Sequence, residues 1–191
     1  MTRRMMHDLG CACGRHFRRP LYHVVDGAQH PGLRYAILAG VLNVVQCPGC
    51  ERVARVTLPV LYRDAPHGHL VYVYGEEAEE QAGALRSELI KIVQDLRRTS
   101  LLTEPVQPTL MFGIERLAAL IEAQLGEDEQ LGSIAFDVRP GKNPERIARL
   151  GAERIAAQTG SYVHAWREGG RLHLQILGPR ARLQSATAAA Q

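Results

Sequence analysis

The sequence predicts an α+β protein: a β-rich N-terminal block, two central amphipathic helices and a small C-terminal α/β unit in the order β-α-β-β. Three observations carry this. Runs rich in Val, Leu and Tyr alternate with turn residues over 11–75, apolar residues recur at helical spacing over 85–125, and the two patterns alternate over 133–177. A chain of 191 residues, 46% of them hydrophobic, has enough apolar side chains for one large domain or two small ones.

In the first block, residues 1–75, the strand-like runs are Leu21 to Val25, Val41 to Gln46, Val53 to Tyr62 and His69 to Tyr74. Pro59 lacks a backbone N–H, so the third run is expected at a sheet edge or to carry a bulge. Pro31 to Ala39 reads as one or two helical turns closed by Gly40. The central segment, 76–129, opens with the acidic run Glu76 to Glu80. Leu85, Leu89, Ile92/Val93 and Leu96 then mark one helix, the proline-bearing stretch Thr103 to Pro108 a loop, and Ile114, Leu117, Ala118, Ile121 and Leu125 a second helix.

In the third block, 130–179, Ser133 to Val138 reads as a strand with Ile134, Phe136 and Val138 on one side. The helix after it is capped by Asn143, with Pro144 at its first position and Ile147, Leu150 and Ile155 as its inner face. Gly160 stops it. Ser161 to Arg167 and Arg171 to Leu177 flank Gly169-Gly170, a pair suited to the positive φ of a hairpin turn. Residues 180–191 have little apolar surface and are expected to form a disordered tail.

No apolar run approaches the roughly 20 residues of a membrane-spanning helix, since Tyr35 to Val45 is broken by Gly40 and Asn43. No apolar run follows Arg3 and Arg4 as it would in a secretory signal, so a cytoplasmic location without membrane contact is expected. Arginine outnumbers lysine 21 to 2 and alanine is abundant, a composition that points to a GC-rich bacterial genome. The net charge of +3 is the balance of +5 over residues 1–75, −7 over 76–129 and +5 over 130–191. Blocks of opposite sign can satisfy one another or a second copy, so a homo-oligomer or a protein partner is favoured over an external polyanion.

The chemically specific signal is the cysteine pattern. Cys11-Ala-Cys13 and Cys47-Pro-Gly-Cys50 are two close pairs, with 33 residues separating Cys13 from Cys47. In a reducing compartment lasting disulfides are disfavoured. Two pairs on separate turns are what a tetrahedral zinc site needs, each turn supplying two thiolates. Pro48 fixes φ, and Gly49 lets the chain fold back so that its amides point at sulfur. Zinc is therefore expected at Cys11, Cys13, Cys47 and Cys50 in a structural role, because four protein ligands leave no position for water or substrate; iron fits the same ligands. A second reading makes Cys47 and Cys50 a redox dithiol, although that motif normally opens a helix and a strand is expected to follow here. His16 is an alternative ligand by proximity, and more simply a surface residue.

Residues 11 to about 75 resemble the bacterial CpXC family. The likeness rests on Cys11-Ala-Cys13-Gly14 with Phe17 after it, on Gly40-Val-Leu-Asn43 leading into Cys47-Pro48-Gly49-Cys50, and on Pro59-Val-Leu-Tyr62-Arg-Asp64 followed by a strand. Phe112-Gly113 extends it more loosely toward residue 125. Glu51 departs from the glycine common at that point of a knuckle. The resemblance implies a zinc-ribbon-like domain over 1–75 and no particular activity.

Tyr62 and Asp64 share one side of a strand end, either as a polar site or as a turn cap, and His67 and His69 lie just beyond. No nucleophile and base pair, phosphate loop or carboxylate dyad is evident, which leans away from an enzyme. Three functions are carried forward: a protein-binding or adaptor module, a nucleic-acid-binding protein using Arg15, Phe17, Arg18 and Arg19, and a thiol redox protein.

Overall fold

The computed structural model describes residues 2–99 and 106–188. Its central feature is a five-stranded mixed sheet in the order β1-β2-β5-β6-β7, formed by β1 (Arg3–Gly10), β2 (His16–Asp26), β5 (Val60–Asp64), β6 (His69–Tyr74) and β7 (Gln107–Phe112). β1/β2 and β5/β6 are antiparallel hairpins; β2/β5 and β6/β7 are parallel pairs. A parallel pair needs a long crossover. The first runs through α1 (Gly32–Leu38) and a separate two-stranded ribbon, β3 (Val44–Gln46) and β4 (Val53–Arg55). The second runs through α2 (Ala82–Arg98).

These crossovers explain why β5 and β6 read as nearly continuous apolar runs: both faces of the sheet are covered. Val60, Tyr62, Val71 and Val73 pack against Leu33, Ala36 and Ile37 of α1 and against Leu117 and Ile121 of α3 (Ile114–Glu122). On the opposite face Leu70 packs with Leu89 and Val93 of α2 and with Val106. Ile92 is 40% exposed, so Val93 is the inward residue of the Ile92/Val93 choice.

The C-terminal unit is an antiparallel sheet in the order β8-β10-β9, from β8 (Leu131–Val138), β9 (Tyr162–Glu168) and β10 (Arg171–Pro179), covered by α4 (Lys142–Thr159). The expected β-α-β-β order is present and the architecture is α+β. Gly169 and Gly170 both take positive φ, 57° and 78°, in the β9–β10 turn, and Gly160 caps α4 at φ 67°.

Several local expectations are corrected. The third strand-like run is two strands, because Pro59 ends the gap between β4 and β5; β5 is a central strand, not an edge. β1 was not anticipated, since Arg3 to Gly10 has neither alternation nor apolar bulk and is held by pairing to β2 alone. Of the expected loop 103–108, residues 103–105 lie outside the described residues, while 107–112 form β7 beside β6. α4 starts at Lys142 with Gly141 as cap, two residues ahead of the Asn143 cap expected. Its inner face is partly as expected, since Ile155 packs against the C-terminal core. Ala152, Ala156 and Thr159 are buried beside it, whereas Ile147 and Leu150 are 66% and 57% exposed, because small side chains let the helix approach the sheet closely.

Residues 180–188, expected in a loose tail, form α5 (Arg180–Ala188), anchored by Leu183 in the C-terminal core and by the Arg180 N–H donating to Gln130 O at 2.8 Å. One fully inserted leucine suffices where a neighbouring core offers a slot. Residues 189–191 lie outside the described residues.

α1 joins the two sheets. Its Tyr35 hydroxyl donates to Glu129 O at 3.1 Å, and a Cβ on Gly32 would come 2.2 Å from Ser161 O at the start of β9. A backbone oxygen at that distance cannot rotate away. Gly32→Ala is expected to lower stability by on the order of 3 kcal/mol through forced separation of α1 from β9. Urea denaturation measures this, and an unchanged midpoint would show that the two units do not depend on that contact.

Candidate metal centre

The four cysteines come from two hairpin tips that face each other. In the β1–β2 turn the Cys11 N–H donates to Arg15 O and the Gly14 N–H to Cys11 O, each at 2.9 Å, with Gly14 at φ 82°. In the β3–β4 turn the Cys47 N–H donates to Arg52 O at 2.9 Å, the Glu51 N–H to Cys47 O at 3.0 Å and the Gly49 N–H to Cys47 Sγ at 3.4 Å. Glu51 occupies the left-handed region at φ 58°, the conformation for which glycine is favoured; its carboxylate accepts the Gly170 N–H at 3.4 Å.

All four Sγ atoms lie within 4.8 Å of one another, with Cys11–Cys50 at 3.6 Å and Cys13–Cys47 at 3.7 Å. Zinc–sulfur bonds of about 2.3 Å in a tetrahedron put neighbouring sulfurs about 3.8 Å apart. A disulfide would require about 2.05 Å, and all four thiols are free. The residues therefore fit a four-thiolate metal ion. His16 is not in the cluster, which consists of the four cysteines among the described residues.

Burial opposes ionisation of Cys47, but the backbone N–H groups of Gly49 and Cys50, with the thiols of Cys11 and Cys13, outweigh it and bring the group down to about 6. Around Cys13 the Arg15 backbone favours the thiolate, whereas the thiols of Cys11, Cys50 and Cys47 together push it up to about 11. Four sulfurs this close thus resist ionising together without a cation to hold the charge.

Residues around the turns position them. Asn43, left-handed at φ 55° and buried, accepts the Tyr22 N–H at 2.7 Å and donates to Tyr22 O at 3.0 Å, locking the approach to β3 onto β2. Gln46 acts as a substitute strand: it donates to Arg167 O and accepts the Arg167 N–H at 2.8 Å, tying the second turn to β9. Neither role is readable from local sequence, because both partners are distant in the chain; the quoted Gly40-to-Asn43 motif was the one signal for Asn43.

The other singled-out residues fall elsewhere. Arg15 crosses the second turn, since a Cβ on Gly49 would come 3.0 Å from its Nε. Arg18 pairs with Asp8 at 3.1 Å. Arg19 stacks over Phe17, 5.4 Å from its ring centroid, on the other face of β2 by strand alternation. These four residues do not share one surface. Tyr62 and Asp64 are each 1% exposed. The Tyr62 hydroxyl donates to Asp64 at 2.9 Å, Arg34 pairs with it at 2.7 Å and His67 Nδ1 lies 3.0 Å away. Burial, reinforced by the Asp64 charge, pushes the Tyr62 hydroxyl far above its ordinary range. His69 contacts Gln124 instead.

No described helix is long and apolar enough to cross a membrane. No curated protein and no solved structure matches the sequence. A model of the CpXC protein family matches residues 9–124, which span both cysteine turns, the large sheet except residues 3–8 of β1, and helices α1 to α3. With more than half its length matched, the chain belongs to the CpXC family.

Proposed function

We propose that this chain is a non-enzymatic binding module, bacterial and cytoplasmic, in which zinc held by Cys11, Cys13, Cys47 and Cys50 staples two hairpin tips in the manner of a zinc ribbon. The observation that carries the reading is the cluster of four sulfurs, all within 4.8 Å of one another: the two pairs at 3.6 and 3.7 Å suit zinc, and four protein ligands would leave the ion closed to substrate. Iron fits the same ligands. The redox alternative has less support, because Cys47-x-x-Cys50 sits on a turn between antiparallel strands and not at a helix start.

A protein partner, including a second copy, is favoured by the exposed Phe136, Ile147 and Leu150 beside an apolar groove of about 660 Å³ between β8 and α4. The test combines metal analysis with thiol titration. The protein as purified should carry one zinc per chain and expose almost no reactive thiol, and a strong chelator should release all four. Free thiols alongside undiminished metal would overturn the staple.

A further inference from the structure

β1 is one edge of the five-stranded sheet, and its regular pairing with β2 runs from Arg4 opposite Tyr22 to Gly10 opposite His16, past the irregularity between Arg3 and Arg4. In an antiparallel pair, residues that exchange two backbone hydrogen bonds alternate with residues whose N–H and C=O point away from the partner strand. Two observations assign the alternation. The Cys11 N–H donates to Arg15 O, which puts the odd-numbered residues of β1 on the bonded positions. Met6 lies opposite Pro20, which has no N–H to give. The backbone groups of Arg4, Met6 and Asp8 therefore point away from β2, along the open edge of the sheet. No proline or bulge between Arg4 and Gly10 blocks a further strand, and Met5 and Met6 are 45% and 52% exposed.

The side chains of Arg4, Met6 and Asp8 share one face of the strand. Asp8 pairs with Arg18 on that face at 3.1 Å. Arg4 lies over Tyr22, 5.5 Å from its centroid, and pairs with no carboxylate among the described residues. A cation, a methionine and a carboxylate at alternate positions of a free edge complement the same row read in reverse. Opposed side chains in a sheet share a face, so a two-fold axis perpendicular to the sheet must pass through a residue. Centred on Met5, it sets Arg4 against Met6; centred on His7, it sets Met6 against Asp8. Centred on Met6, it sets Arg4 of each copy against Asp8 of the other and Met6 against Met6, with the outward backbone groups of all three residues paired.

We propose that β1 is a self-association edge through which two copies of this chain pair antiparallel about Met6, joining their five-stranded sheets into one continuous sheet. Across the seam one face then reads Arg18 and Asp8 of one copy, followed by Arg4 and Tyr22 of the other, so each carboxylate lies between two guanidinium groups. The inference rests on the binding-module reading for its class of partner, and it uses a surface separate from the groove beside Phe136.

Sedimentation velocity of the zinc-loaded protein at low salt, from about 1 to about 100 µM, should show monomer passing into dimer. The association should weaken as salt screens the exposed ion pairs. Arg4→Asp and Asp8→Arg each turn both pairs across the axis into like charges, and each should raise the dissociation constant about tenfold or more. Circular dichroism and zinc content should stay at wild-type values, because both side chains are exposed. Mixed in equal amounts, the two variants should associate again, since a copy acidic at both positions then meets a copy basic at both. A protein that stays monomeric at every concentration overturns the proposal. So do single variants that dimerise as the wild type does, which would place the interface on another surface, and variants that remain apart when mixed. None of these outcomes touches the metal staple, which zinc content and thiol protection report separately.

Discussion

Cys47→Ser is expected to abolish stoichiometric metal binding and to lower the thermal midpoint of the whole chain by about 10 °C or more. Structural zinc contributes about 10–16 kcal/mol of apparent binding free energy in small metal sites. In a chain of this size each kcal/mol is worth about 2–4 °C, so recovery of only a third of that energy gives the stated shift. Cys47 is the most damaging choice because it is the buried ligand, 2% exposed, and receives the Gly49 N–H. The loss should not stay local. Gln46 and Glu51, on either side of the second cysteine pair, hold Arg167 and Gly170 of the β9–β10 hairpin, so a released turn withdraws support from the C-terminal sheet. Elemental analysis, melting followed by circular dichroism and the emission of Trp166, which lines the same cleft as Cys47, check all three consequences. A variant that melts with the wild type while lacking metal would mean that the ion is cargo and not a staple.

Asp64→Ala is expected to cost about 3–5 kcal/mol, because it strands the Arg34 guanidinium, whose side chain is 12% exposed, without its counter-ion. It also removes the acceptor of the fully buried Tyr62 hydroxyl. Gly27 shows how tightly this corner is packed, since a Cβ there would sit 2.6 Å from that hydroxyl. A double-mutant cycle separates structure from function. Arg34→Met/Asp64→Leu replaces the pair with apolar groups and should recover most of the lost stability. Recovery in chemical denaturation identifies the pair as structural; a double variant no better than Asp64→Ala would show that Tyr62 and His67 need the carboxylate itself.

How far the site was readable is clearest at the cysteines. Two tight pairs of soft ligands carry their own geometry, and the structure brings all four sulfurs together. Asn43, Gln46 and Arg15 were not assigned their places, because each acts on a partner set by the pairing of distant strands. Ile147 and Leu150 show the same limit inside one helix: their spacing is correct for an apolar face, but the alanines beside them lie closer to the sheet. β7 was concealed for a related reason, since Gln107 and Pro108 begin it and only the exposed flank of β6 makes it a strand.

Composition, periodicity and turn chemistry were enough to determine the α+β class, the β-α-β-β unit, the glycine-closed helices and the two tight cysteine pairs, because these depend on atoms a few residues apart. Tertiary structure alone decided that the two cysteine turns face each other, that β1 and β7 complete the sheet, that Arg15 lies across the second cysteine turn while Arg18 and Arg19 take opposite faces of β2, and that residues 180–188 fold. Each of those outcomes depends on which remote surface a segment meets, and the energy of that meeting exceeds the weak local preference of the segment itself.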